Sequence, residues 1–413
     1  MGAQHQIVII GASFAGIPTA HGLLKDILPK LSNKTSYKVV LVSASDHFYF
    51  KVGAPRTVIN PDKIPADKIL LPVADGFKAY PKEKFEFVHA AVTAVDPATQ
   101  TLALDSGNTL HYDSLVVASG TYFSSNLWSV ANGLDNLRTA LKDIHERLPS
   151  ASSVLVVGGG PVGVETSGEL GETYGGKKEI TILSGTSRLL ARYKNVGVGR
   201  DAESRLANMG VKTVNDVKVV SKISEGDKTR VELSDGTTMT VDLYIDATGD
   251  RPNSKYLPAE WLNERGFAKT NPETLRLEVP ETKNIYVFGS VGSYSDGSII
   301  DMKFAIKPLL ESIRLDLVGQ GEPSLKAPPF ANANNASWLS WLMSWIPFFG
   351  TAEPAKRKVV YKKIQSDMGF VPVGSQGGVG VVMGYKIPSF VVKMFKAKDF
   401  MVSHALQTVN GTG

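Results

Sequence analysis

The sequence predicts two doubly wound α/β domains, each on a parallel sheet, with a small α+β region at the C-terminal side. Three observations carry that fold class. One unit occurs twice: QIVIIGASFAG (6–16) and SVLVVGGGPVGVE (153–165) each run from an Ile/Val-rich strand through a glycine turn into the apolar start of a helix. Each copy is followed by a second strand of buried type, YKVVLVS (37–43) and EITILSG (179–185), which completes a βαβ unit. A chain of 413 residues that is 43% hydrophobic and 21% charged is long enough for two or three domains and apolar enough to bury their cores, which excludes disordered and fibrous classes.

The elements follow in order. Gly11 permits the tight turn after the first strand, Ser13 stands at the middle position, and Gly16 allows the helix to pack closely on the strand. The second copy has glycine at all these positions, in Gly158-Gly159-Gly160-Pro161-Val162-Gly163. Such a turn aims free N–H groups and the positive end of a helix dipole at a phosphate. YDSLVVASGTY (112–122) and LYIDATGDRPN (243–253) read as strands closing the two sheets, each behind a hairpin turned at Ser106-Gly107 or Asp235-Gly236. IYVFGSVGS (285–293) is one more buried strand with a Gly-Ser turn, and a helix is expected from about Met302 to Val318. Residues 323–336 read as a Pro- and Asn-rich linker. Domain boundaries accordingly fall near 130, 255 and 322.

Composition narrows the chemistry. Forty-five Lys+Arg against 40 Asp+Glu give +5, too mild to argue for a nucleic-acid partner. Zero cysteines exclude a disulfide framework, a thiolate metal site, an iron–sulfur cluster and a redox dithiol. His5, His21, His47, His89, His111, His145 and His404 are scattered without metal-ligand spacing, so no metal site is expected. Asp201, Glu203 and Arg205 read as a solvated helix face. No signal peptide and no run of ~18 apolar residues is visible, so the expected location is intracellular, cytoplasmic or peripheral on a membrane surface. SWLSWLMSWIPFFG (337–350) places Trp338, Trp341 and Trp345 on one face of a helix, with Lys356, Arg357 and Lys358 close behind. This segment reads as a peripheral membrane contact or as a face buried against protein, a homodimer included.

The two glycine units, the paired Ser119-Gly120-Thr121 and Thr248-Gly249-x-x-Pro252-Asn253 turns and the Gly289 turn together resemble a flavoprotein with two dinucleotide-binding (Rossmann-like) domains. The GASFAG start, the Ala54-Pro55-Arg56 loop and the ending MGYKIPSFVVKMFKAKDFMVSHAL (383–406) are similar to apoptosis-inducing-factor-like oxidoreductases, and within them to the ferroptosis suppressor protein (mitochondrion-associated apoptosis-inducing-factor homologue) subgroup. The resemblance implies an FAD-binding domain in two parts (1–130 and 256–322), an NAD(P)H-binding domain (131–255) and a C-terminal region (323–413). It implies FAD on Gly11, Ala12, Ser13, Phe14, Ala15 and Gly16, with further contacts from Ser43, Lys51, Arg56, Val92, Ser119, Gly120, Gly289 and Ser290. NADPH or NADH is implied on Gly158, Gly160, Gly163 and Gly249. Glu165 and Lys396 are the implied catalytic residues. Two positions depart from the family pattern: Ser43 and Ser290 stand where carboxylates are usual. Arg188, four residues past Ser184, reads either as a 2′-phosphate contact favouring NADPH or as a surface charge. The expected activity is hydride transfer from the nicotinamide to FAD and on to a quinone-like lipophilic acceptor, with a biosynthetic flavoprotein or a non-catalytic redox sensor as alternatives.

Overall fold

A computed structural model describes residues 4–31, 35–319, 359–363 and 365–412. The linker at 323–336 and the Trp-rich segment 337–350 lie outside the described residues.

The core strands in chain order are β1 (His5–Ile10), β2 (Tyr37–Ser43), β3 (Phe85–His89), β4 (Ser114–Val117), β5 (Ser153–Val157), β6 (Glu179–Leu183), β7 (Val211–Val214), β8 (Leu243–Asp246) and β9 (Ile285–Val287). They form two parallel sheets, a five-stranded one in the order β9-β4-β1-β2-β3 and a four-stranded one in the order β7-β6-β5-β8. Strands covered on both faces need unbroken apolar runs. Ile7–Ile9 of β1 and Val39–Val42 of β2 supply them and are fully buried. In each sheet the strand order reverses beside β1 or β5, so the crevice at the carboxyl end of each repeated unit is where a nucleotide belongs in such folds.

The helices are α1 (Gly16–Gly22), α2 (Ala54–Ile59), α3 (Leu134–Arg147), α4 (Pro161–Tyr174), α5 (Val196–Asn208), α6 (Ile299–Leu317), α7 (Ser389–Val392) and α8 (Ser403–Asn410). Helix α1 runs on through a wider turn at Leu23–Ile27, and α7 does the same at Lys393–Ala397. α6 begins three residues before the expected start at Met302, because the Ser298 side chain caps it by accepting from the Ile300 N–H. Thr121–Phe123 and Asp250–Pro252 pair antiparallel and join the two sheets as a double connection.

The described residues of the C-terminal region fold onto both sheets' domains. A three-stranded antiparallel sheet (Gly369–Pro372, Gly378–Val382, Tyr385–Lys386) leads into α7 and α8. α8 is latched on α1 through His21, whose Nε2 donates to the Val409 carbonyl at 2.8 Å while Nδ1 faces the Tyr80 hydroxyl at 2.9 Å. The imidazole stacks on Phe77 at 4.2 Å, and burial pushes its pKa down to about 4. Lys25 donates to the Asn410 and Gly411 carbonyls at 3.1 and 3.0 Å.

The helix face read as merely solvated is used. Glu203 of α5 accepts from the Leu189 N–H and from Asn215 Nδ2, both at 3.0 Å, and Asp201 pairs with Lys386 at 2.6 Å.

Candidate active site

Two cradles are built by the repeated turns. Gly11 follows β1 with φ +106°, and a side chain there would meet the Ala118 carbonyl oxygen at 2.6 Å. Gly158 after β5 has φ +131° and would meet the Ala247 oxygen at 2.5 Å. Only glycine can lead the chain round both bends. Gly16 and Gly163 lie against the carbonyls of Gly11 and Gly158, which presses each helix onto its own turn. No side chain caps α1 or α4, so their first N–H groups are not bound by a cap. Around Gly160 and Gly249 a methyl group would find nothing within 4 Å, so the ground before the second turn is open. That open cradle, with uncapped amides and no carboxylate in the turn, fits a dinucleotide pyrophosphate.

The first cradle is walled by aromatics. Phe14 meets Phe48 edge-on at 5.0 Å and Phe50 at 5.6 Å. Ala12 and Ala15 are buried, and Ser13 is half-buried at the middle position. Gly120 looks toward the Ser290 hydroxyl, and Ser290 Oγ lies 3.3 Å from Thr121 Oγ1. This arrangement brings the two small-residue turns of the first domain together. Gly289 closes against Ala15. Ser43 ends β2, and its hydroxyl accepts from the Ser45 N–H at 3.3 Å. Asp46, the nearest acid, is tied to His47 at 2.7 Å, and that hydrogen bond holds its carboxyl below the usual range. Lys51 lies 5.6 Å from the centre of the Phe123 ring, and Val92 pairs with Leu104 in a hairpin behind β3.

Between the cradles lies a buried polar bridge. Helix α4 presents Glu165 and Glu169 one turn apart on one face. Glu165 meets Lys396 Nζ at 2.5 Å, with side-chain exposures of 4% and 16%. Burial raises the Glu165 carboxyl above its usual value, and the Lys396 charge works against that rise. Glu169 takes a two-pronged bond from Arg56, Nε to Oε2 at 2.8 Å and Nη2 to Oε1 at 2.9 Å, with the pair 0% and 2% exposed. Arg56 further donates to the carbonyls of Lys398 at 2.8 Å and Ala397 at 2.9 Å, and stacks on the Phe400 ring at 4.6 Å. One arginine therefore fastens α2, α4 and the segment carrying Lys396.

Three of the expected site residues have polar partners within the chain. The Arg56 guanidinium faces Glu169 and the two carbonyls, and burial without those partners would be costly. The Nη atoms of Arg188 donate to the carbonyls of Leu190, Ala191 and Tyr193 and close its own loop. Ser119 donates to the Asn253 carbonyl at 2.7 Å and accepts from Tyr256 at 2.9 Å, so its hydroxyl serves the double connection. Sequence reasoning missed the Arg56–Glu169 clamp, although the Glu165-x-x-x-Glu169 spacing was its visible signal.

The model of the family described as pyridine nucleotide-disulphide oxidoreductase matches residues 5–307. The chain belongs to that family. This family member takes FAD and NAD(P)H as cofactors, and its two parallel-sheet domains are the family's two dinucleotide folds. It is an apoptosis-inducing-factor-like oxidoreductase. It is 30% identical to "Oxidoreductase phnG" of Penicillium herquei over 96% of this chain and 94% of that one. It is 24% identical to "Ferroptosis suppressor protein 1" of Taeniopygia guttata, covering 98% and 96%. Among solved structures, the ferredoxin reductase of the CYP199A2 system from Rhodopseudomonas palustris superposes with TM-score 0.59 at 20% identity, over 78% of each chain. Unlike the family's name, this oxidoreductase has no cysteine and hence no redox disulfide. Among the described residues no helix is long and apolar enough to cross a membrane, and no group of three or more His, Asp or Glu could hold a metal ion.

Proposed function

We propose that this flavin-dependent NAD(P)H oxidoreductase delivers its electrons to a quinone-like acceptor. The observation that carries the reading is the Glu165–Lys396 pair, which stands one helical turn from the Gly158–Gly163 cradle. Bound FAD supplies two-electron transfer, with the balance NAD(P)H + H⁺ + quinone → NAD(P)⁺ + hydroquinone. The chain's own part is positional and protonic. Gly158, Gly160 and Gly163 leave room for a nicotinamide nucleotide, and Gly11 to Gly16 for the flavin's pyrophosphate. Glu165, raised by burial, can hold a proton at Oε1, and Lys396 Nζ at 2.5 Å can donate to it or receive from it. Arg56 fixes where Lys396 stands through the carbonyls of Ala397 and Lys398. With Arg188 closing its own loop, the donor is read as either NADPH or NADH. The segment 337–350 is proposed as the peripheral membrane contact, where a lipophilic acceptor would be met.

A second reading, a biosynthetic flavoprotein acting on one small metabolite, is favoured by a polar cavity beside Ser290. The deciding experiment is an absorbance spectrum of the purified protein and anaerobic titration with NADPH and with NADH. Flavin bands that bleach on nucleotide addition, followed by reoxidation with a quinone, support the reading. Bleaching without reoxidation by any quinone transfers support to the metabolite enzyme, and absence of flavin after FAD addition overturns both.

A further inference from the structure

A cavity of about 530 Å³ opens beside Ser290. Its walls come from the loop between β9 and α6, the hairpin bend at 263–267, the Arg192–Lys194 segment, Lys363 and residues 365–368. No residue of Gly11–Gly16 or Gly158–Gly163 lines it, and Ser290 of the implied flavin turn is where it meets the first domain's site. The volume is that of a small-molecule site.

Its charges are unevenly matched. The three carboxylates of the wall are all engaged within the protein. Asp296 pairs with Lys363 at 2.7 Å, Asp301 accepts from Tyr361 Oη at 3.1 Å and from the Asp296 N–H at 3.2 Å, and Asp367 accepts from the N–H groups of Lys194 and Asn195. The remaining cations have no such match. Among the described residues the side chains of Arg192, Lys194 and Arg265 pair with no carboxylate. Arg192 lies over the Tyr193 ring at 5.5 Å, Arg265 over Phe267 at 5.3 Å, and Lys194 Nζ bonds only the Gln365 carbonyl at 3.2 Å. Ser293, Ser295 and Ser298 each accept one backbone N–H, which leaves a hydroxyl proton to donate. Three unmatched cations and a row of donors form a surface for a negative group, and guanidinium groups stacked on rings are held ready for planar oxyanions.

We infer that this cavity binds the anionic end of the second substrate, a carboxylate or phenolate carried by the acceptor. The inference rests on the reading of Gly289–Ser290 as the flavin turn, since Ser290 is what joins the cavity to the cofactor. It narrows the acceptor class from quinones at large to those bearing a negative charge.

The test compares a naphthoquinone carboxylate with its methyl ester, probes that differ in one charge. Binding is measured by calorimetry on the purified holoenzyme, without nucleotide, so no turnover enters. The carboxylate should bind about tenfold more tightly than the ester, the combined effect of two exposed charge contacts. Arg192→Ala with Arg265→Ala should remove that preference, and Arg265→Glu should invert it, while NAD(P)H affinity stays unchanged. Equal affinity for the two probes, no binding by either, or a preference that survives both alanine substitutions overturns the inference. Flavin that fails to bleach with NAD(P)H overturns the oxidoreductase reading instead, and the calorimetric preference is read independently of it.

Discussion

At the scale of residues, the site depends on two buried ion pairs of unlike character. The Arg56–Glu169 pair is dry and complete, and removing one partner strands a charge in the interior. Arg56→Met should lower stability by about 3–5 kcal/mol, and adding Glu169→Leu should recover most of that loss, as replaced buried pairs commonly do. Chemical denaturation of the single and double variants reads this directly. The Glu165–Lys396 pair is less sealed, and its expected effect is on rate. Lys396→Ala should keep FAD bound yet slow flavin turnover by roughly 10²-fold, the usual share of a positioned proton donor. Stopped-flow bleaching together with the flavin content of the purified variant checks it, and unchanged steady-state rates would remove Lys396 from the mechanism. Glu165 and Lys396 were assigned one by one through resemblance, and Glu169 was not singled out. Their pairing was not legible, because contacts across 231 and 113 positions are facts of packing. The bonds of Arg188 were not legible for the same reason, since nothing local announces that a guanidinium will spend its donors on the carbonyls of its own loop.

At the scale of elements, the glycine turns separate what the fold needs from what a ligand needs. Gly158 cannot gain a side chain without striking the Ala247 carbonyl, whereas Gly160 faces open ground. Gly158→Ala should therefore impair folding, while Gly160→Ala should leave the melting temperature nearly unchanged and weaken NAD(P)H binding. Thermal melts paired with equilibrium nucleotide titration distinguish the two. The strands of both repeats were legible because burial on two faces demands unbroken Ile/Val runs. The start of α6 was placed late although Ser298, a capping residue just before an apolar stretch, was in plain view. The α8 latch carries its own pH signature. His21 has a folded pKa of about 4, below the free value of 6.5, so the neutral ring is the one the fold prefers. Its contribution is complete above about 6.5 and is lost as pH falls toward 4. Hydrogen exchange of α8 should accelerate over that interval, and His21→Gln should flatten the response.

At the scale of the whole molecule, two nucleotide folds meet along a double connection, and the C-terminal region bridges them. Fold class was legible at this level from the duplication alone. The bridging was not, since it depends on one buried arginine choosing partners on α4 and beyond α7. The Trp-rich segment 337–350 gives a further test. Its deletion should abolish flotation with anionic liposomes while leaving NAD(P)H-driven bleaching intact, and retained flotation would assign lipid contact elsewhere. The clamp also bears on how the chain comes into being. Arg56 and Glu169 leave the ribosome more than two hundred residues ahead of Ala397 and Lys398, whose carbonyls complete the hydrogen bonding of Arg56. During synthesis the N-terminal fold can assemble, but Glu165 has no lysine to answer it until the last segment arrives. An unfinished polypeptide can thus gather its nucleotides before the proton-handling pair exists, and full competence should appear only once the segment carrying Lys396 has been made.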